Sequence, residues 1–322
     1  MAMRPLNRIL LATLISIAGL AAVTRAQFAE DALRFSLTNS SVGPRTLALG
    51  GSAVGRAEDY TALFANPAGL ASIRDYEFSI GFARNGVRND ALFMGTTTRS
   101  DNKNTVLDNA GLVYPIPTTR GSMTFAMGFG RVANYTSTAA YAGFNPGSSI
   151  VRSLAPRTDL YTMSVEEERD LLRSNIPYQI WLADTSNGYL FPVVTDSVRQ
   201  EGTVYEGGGV NHWSFGGALE VARNLSLGFS LNFVSGTYSY DREFVETDAA
   251  NIYASTYAFP YNFDRFTYVS TIESELSGFN MLVGLLMRQP GRYRVGVSVR
   301  TPTTMEINES FTDEGSSRID DG

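Results

Sequence analysis

The sequence predicts an all-β fold, a transmembrane antiparallel β-barrel, and three observations carry that prediction. Long segments alternate large apolar residues with small or weakly polar ones. Short turns on one side answer long polar connections on the other. Beyond the first 26 residues no stretch is apolar enough for a membrane helix: the longest run there, Met281–Met287, falls far short of about 18 residues. The chain has 322 residues, and 18% are charged, below the roughly 25% of an average soluble protein. Aromatics are abundant, with 19 Phe, 16 Tyr and 2 Trp, and there are 30 Gly.

Residues 1–26 read as a signal peptide. Arg4 and Arg8 form a positive start, Ile9–Val23 an apolar stretch, and Ala26 a small residue at the cleavage position. The other reading is a membrane anchor, but a span needs about 20 apolar residues. Cleavage before Gln27 moves the formal charge from −6 to −9. An acidic exported chain without basic runs is not a nucleic-acid binder.

The strands follow. Tyr76–Phe82, Met123–Phe129, Leu225–Phe233, Phe279–Met287 and Tyr293–Val299 each place large apolar residues on every second position. The intervening positions are Gly, Ser, Thr, Asn and Arg. A soluble sandwich also alternates, but its second face is usually charged. A barrel with lipid outside and a small-residue lumen fits better. The turns near 115–121, 222–225 and 288–292 are short, whereas 135–210 and 240–268 read as long extracellular loops. The pattern yields about seven strands: 75–86, 105–116, 121–134, 211–222, 224–239, 268–288 and 292–306, with 87–104 able to extend the first two. Single-chain bacterial barrels have even strand counts and must close. The tail Ser316–Gly322 reads as an acidic loop that cannot close the sheet. The expectation is therefore a chain truncated at its C-terminus; the alternative is a miscounted eight-stranded barrel.

Before the first strand, Gly43–Ala71 is Gly- and Ala-rich and does not alternate. Small residues permit close packing, and Asn66-Pro67 is a turn signal. In a barrel protein such a segment, 27–74, reads as a plug in the lumen. Arg45–Gly51, the acidic pair Glu58-Asp59 and the run Asn66-Pro67-Ala68-Gly69-Leu70 resemble the start of the FadL/TodX family of outer-membrane hydrophobe transporters. Leu49-Gly50-Gly51 stands where that family commonly has Met-Gly-Gly. The resemblance covers 35–85; beyond that it rests on strand pattern, including Leu112–Pro115 before the first short turn.

The resemblance implies a barrel of 14 strands, about half of them present here, with an N-terminal hatch, in the outer membrane of a Gram-negative-type bacterium. It implies a monomer that passively transports long-chain fatty acids or aromatic hydrocarbons, with membrane lipid around it. Ligand would be caught by the loops, pass to a pocket beside the hatch and leave by a lateral opening into the bilayer. Asn66, Pro67 and Ala68 match the hatch triplet, as a gating element or as a turn that holds the plug together. Gly50 and Gly51 are assigned to backbone conformation at the hatch. Phe64 is a candidate for the ligand side or for plug–wall packing. A second reading is a barrel component of a protein-secretion system, as the type IX shuttle proteins are, binding a protein partner.

Within 135–210, Ser164–Arg173 has the pattern of a capped helix, with Glu167 at the capping-box position. Ile180, Trp181 and Phe191 are candidate ligand contacts, since exposed apolar surface there needs an occupant; the alternative is a loop with its own small core. Catalytic residues, metal ligands and cofactors are not expected. There is no Cys, one His and no phosphate-binding or nucleophile-elbow motif. His212 beside Trp213 reads as interfacial rather than catalytic. Trp213 and Tyr238, Tyr240, Tyr253 and Tyr257 suit an aromatic girdle. Asp241, Glu243, Glu246 and Asp248 read as a solvated loop, with oxygen ligation of a cation as the lesser option.

Overall fold

Alternation over more than ten residues becomes, in the computed structural model, strands of unusual length. The structure describes residues 29–36, 42–56, 58–253, 262–289 and 291–320. The signal peptide and Tyr257 lie outside them. The helix α1 (Ala29–Ser36) stands as a unit of its own.

The main sheet is antiparallel. It comprises β1 (Glu77–Phe93), β2 (Thr96–Ile116), β3 (Met123–Asn134), β4 (Ser137–Asn145), β8 (Val198–Ala222), β9 (Leu225–Thr247), β10 (Asn262–Gln289), β11 (Tyr293–Arg300) and β12 (Thr304–Asp320). These nine strands occupy seven positions. Both β3 and β4 pair with β8, and both β11 and β12 pair with β10. The second break is local: Thr301 donates its N–H to the Met281 carbonyl, and its hydroxyl accepts from the Met281 N–H. The sheet curls into a half-barrel. Among the described residues no helix is long and apolar enough to cross a membrane.

Three expectations need correction. The loop 135–210 includes β4 and the first half of β8, and the loop 240–268 gives up 240–247 to β9 and 262–268 to β10. Polar alternation there lacked the large apolar residues that mark the lower strands. The tail is not a loop as far as Asp320, because β12 finds a ladder partner in β10 from Thr304↔Phe279 to Asp320↔Asn262. The acids Asp241, Glu243 and Glu246 lie in β9 and not in a solvated loop.

Register aligns the large residues into rows across the sheet. One row runs Phe78, Leu112, Met127, Phe215, Leu231, Met281. The row above it contains Phe129, Trp213, Phe233 and Phe279. Three rows below are centred on Phe229 and Val283, on Leu227 and Leu285, and on Leu225 and Met287. This face is exposed: Phe78 is 75% accessible and Val299 68%. Beyond the top row the same face turns polar, with Ser235 and Ser277, then Glu273, Glu275, Asp241 and Glu243.

Residues 146–197 form a lobe of short elements. A three-stranded sheet (β5 Thr158–Asp159, β6 Ala183–Ser186, β7 Tyr189–Pro192) is joined by α4 (Ile150–Leu154), α5 (Val165–Ser174) and α6 (Ile176–Gln179). The predicted capping box is present: Ser164 Oγ accepts from the Glu167 N–H, and the Glu167 carboxylate accepts from the Ser164 N–H at 2.8 Å. The Ser164 N–H and hydroxyl, both donating to it, hold the Glu167 carboxyl below its ordinary value. The lobe has two apolar cores, one shared with Phe244, Phe263 and Phe266 of the upper strands, the other around Leu160, Ala183 and Leu190.

Candidate functional site

The inner face of the half-barrel carries the segment 42–73. Its elements are short: α2 (Pro44–Ala48), α3 (Ala62–Ala65) and a 3₁₀ turn (Pro67–Ser72). Gly50 and Gly51 follow α2 with φ of 63° and 82°, the left-handed region that favours glycine. That fits a conformational role; nothing lies within 4 Å of the space a Gly50 side chain would fill.

Residues 60–67 touch six successive sheet positions. A side chain at Gly111 of β2 would run into the Tyr60 ring, and one at Gly128 of β3 into Tyr60, Leu63 and Phe64. Gly216 of β8 faces Leu63, and Gly228 of β9 the Pro67–Ala68 backbone. Gly284 of β10 faces Asn66, and Gly296 of β11 faces Val54 and Asn66. Across a flat sheet, five strand steps cover about 24 Å. Eight largely helical residues reach about 10 Å. The sheet must therefore curve around the segment.

Asn66 is the hub. It is fully buried, and its amide donates to the carbonyls of Val54 (2.8 Å) and Leu285 (3.1 Å). Its Oδ1 accepts from the Ala68 N–H, capping the turn that Pro67 begins. One side chain thus ties two parts of the segment to β10. Further bonds seal the contact: Ser230 to the Leu63 carbonyl (2.8 Å), Arg300 to the Phe64 carbonyl (2.7 Å) and Ser122 to the Ala71 carbonyl (2.7 Å). The Tyr60 hydroxyl donates to Asn109 at 2.6 Å. Burial, with Asp59 and Asp108 near, pushes its pKa far up, so it stays a donor. At the base, Glu58 meets Arg294 at 2.5 Å and Arg45 at 3.6 Å.

Above the segment the inner face is polar. Ser214 donates to Asn232 (2.6 Å) and Asn232 to Asn280 (2.8 Å), buried across three strands, and Asn280 donates to the exposed Thr303 (3.0 Å) at the break between β11 and β12. His212 lies in the same region and is 5% exposed. Its expected interfacial place is corrected: position 212 has inward parity, and Trp213 takes the outward one. Tyr238 likewise points inward, at 2% exposed, and its hydroxyl donates to Glu206. Tyr240 shares that parity, and Tyr253 packs on Phe263 and bonds the 195–196 backbone. None of the three is part of an outward girdle. Among the described residues no group of three or more His, Asp or Glu is arranged to hold a metal ion.

The candidate residues divide between two places. Asn66, Pro67, Ala68 and Phe64 meet at the inner face, with Phe64 3% exposed against Gly128 and Gly130. Ile180, Trp181 and Phe191 belong to the lobe. Ile180 packs partly on its larger core, Trp181 is 70% exposed at φ 66°, and Phe191 is half-buried in β7. Sequence reasoning missed the glycine set and Arg300. The signal for the glycines was present, since each stands at an inward position of the alternation.

The wall opens between β2 and β3. The β2–β3 ladder ends at Asn109↔Gly130, and β3 bulges between Arg131 and Ala133. Above it β4 meets the β1–β2 hairpin through side chains. Asn89 donates to the Thr138 carbonyl at 2.6 Å, Ser100 to the same carbonyl at 2.9 Å, and Asn102 to Thr138 Oγ1 at 2.9 Å. The Phe93 and Tyr141 rings stack 5.0 Å apart. Comparison with protein-family models, with curated proteins and with solved structures finds none that matches this chain.

Proposed function

We propose that this chain is the wall and plug of an outer-membrane barrel that passes hydrophobic small molecules passively. The observation that carries the reading is the pairing of two opposite faces on the same strands. The outward face is an exposed apolar band; the inward face is glycine pressed on a buried segment. Five rows, two residues apart, cover about 27 Å along a strand, or about 20 Å in height at a tilt near 40°. Barrel bands are about 25 Å tall and edged by aromatics. Here Trp213, Phe233 and Phe279 edge the top, with Phe129 and Trp213 rings 5.0 Å apart. Tyr293, beside Gln289, edges the bottom, and Tyr76 and Tyr114, whose rings lie 5.1 Å apart, stand at the foot of β1 and near that of β2.

In this reading 42–73 is the hatch, and the buried bonds of Asn66 make its triplet a seat rather than a moving gate. The ligand class follows from the resemblance to the FadL/TodX family: long-chain fatty acids or aromatic hydrocarbons. The β2–β3 discontinuity, level with the top aromatic row, is the proposed lateral exit. A hydrophobe then needs cover only across the polar part of its path.

The lobe favours a second reading. Its own small core around Leu160 and Leu190 and its exposed Trp181, Tyr161 and Val165 suit a protein partner of a secretion system. Deleting the gene and measuring both uptake and export separates the two. Loss of fatty-acid or alkylbenzene uptake with export intact supports transport; intact uptake with a lost exported protein overturns it.

A further inference from the structure

The short turns carry arginine where turn geometry does not ask for it. The β2–β3 turn holds Arg120, the β8–β9 turn Arg223 and the β10–β11 turn Arg292, and all three are exposed. Among the described residues none of the three has a carboxylate within 4.0 Å. Other arginines of this rim are paired: Arg74 lies 3.8 Å from Glu220, and Arg294 lies 2.5 Å from Glu58. At the upper ends of β1 and β2, Arg99 meets Asp90 at 2.6 Å and Lys103 meets Asp101 at 4.0 Å. The lower rim is set apart by its three short turns, each of which presents an exposed arginine with no carboxylate in reach.

The layers at the lower edge are ordered. The apolar rows end at Leu225 and Met287, Tyr293 follows beside Gln289, and the open guanidinium groups of the turns come next. A bilayer edge has the same order: acyl chain, carbonyl interface, phosphate. The choice of residue fits too, because a guanidinium offers a planar fork that matches phosphate oxygens two at a time. We propose that Arg120, Arg223 and Arg292 bind the phosphates of anionic phospholipids in the leaflet at the short-turn rim. The proposal rests on the membrane reading above. It gives the wall a fixed depth and a preferred lipid.

The test uses the full chain inserted into vesicles of equal phosphatidylcholine and phosphatidylglycerol with identical acyl chains. Insertion is scored by co-flotation, and the lipid that stays bound on gentle extraction is counted by native mass spectrometry. The expected result is about fivefold enrichment of phosphatidylglycerol per site. Enrichment falls to near equality in the Arg120→Gln/Arg223→Gln/Arg292→Gln variant. It is retained in an Arg84→Gln/Arg88→Gln/Lys103→Gln control, which removes the same charge at the upper end. Equal retention of both lipids by the inserted wild type overturns the proposal and leaves the membrane reading standing. So does enrichment that survives the turn variant, or retention of an acidic protein in place of lipid. Failure to float with either lipid overturns the membrane reading itself. The three turn residues are exposed and unpaired, so the variant keeps the wild-type thermal transition, and that is measured alongside.

Discussion

The lower and upper halves of the same strands alternate with the same period and use it in opposite ways. Along β9, Leu225 to Phe233 put large residues outward and Gly228 and Ser230 inward. From Ser235 to Phe244 the outward positions are polar or acidic, and the inward ones include Tyr238 and Phe244. The lower half fills its interior with backbone, by pressing glycines on residues 60–67. The upper half fills it with side chains, from β4 and the lobe. The lesson is that the alternation fixes which residues share a face, and the solvent on each side decides which face is large.

The sharpest way to break the lower half is to remove its hub. Asn66→Ala leaves the Val54 and Leu285 carbonyls and the Ala68 N–H without their buried partner. The expected loss is about 3–5 kcal/mol, since each unmet buried group costs about 1–3 kcal/mol. Limited proteolysis then cuts within 42–73 while the strands stay protected. Asn66→Asp, which would bury a carboxylate against the Val54 and Leu285 carbonyl oxygens, is expected to cost at least as much as Ala.

The outward contrast is tested on one strand. Phe229→Arg places a cation in the middle row and is expected to cost about 2–4 kcal/mol of stability in a bilayer. Ser235→Arg, on the same face six residues on, is expected to cost about 0–1 kcal/mol. Urea titration of the vesicle-inserted protein reads both. Equal penalties would remove the membrane boundary at Phe233. On the inward face, Gly228→Ala meets the Pro67–Ala68 backbone, which cannot rotate away. It is expected to cost about 1–3 kcal/mol. Ser226→Ala, on the same inward face at the foot of the strand, serves as the neutral control.

These contrasts mark what the residues announce. The lower strands were legible because Phe, Leu, Met and Val repeat on alternate positions with small residues between. The upper strands were not, because Val198–Glu206 and Asp241–Glu246 mix charge into both faces and read as loop. Their pairing is stabilised by length and ladder continuity, which leave no hydropathy signal. The hatch triplet was visible as a turn, yet its hub role depends on Leu285, distant in sequence. His212 and Tyr238 were misplaced for one reason: residue type suggested an interface, while parity puts both inside.

The smallest expected effect separates the upper half from the lower by pH. Glu246 is fully buried, well beyond the apolar rows, and accepts from Ser149 Oγ (2.5 Å), the Ile150 N–H (2.7 Å) and Gln200 (2.7 Å). It pins the start of α4 to β9. Burial outweighs those donors and raises its carboxyl above the ordinary 4.5. Between that ordinary value and the raised one, the folded lobe binds more protons than the unfolded chain. Stability therefore falls as pH rises through the raised value and is level below 4.5. Hydrogen-exchange protection in 146–197, taken relative to the intrinsic rate at each pH, should be greater at mildly acidic pH than at neutral pH, while that of 60–67 changes little. Glu246→Gln keeps an acceptor for Ile150 and Gln200 and can donate to Ser149. It is expected to flatten the pH dependence at little cost in neutral stability. A Glu246→Gln lobe whose protection, relative to the intrinsic rate, still rises on acidification would place the titrating group elsewhere and leave Glu246 a static anchor.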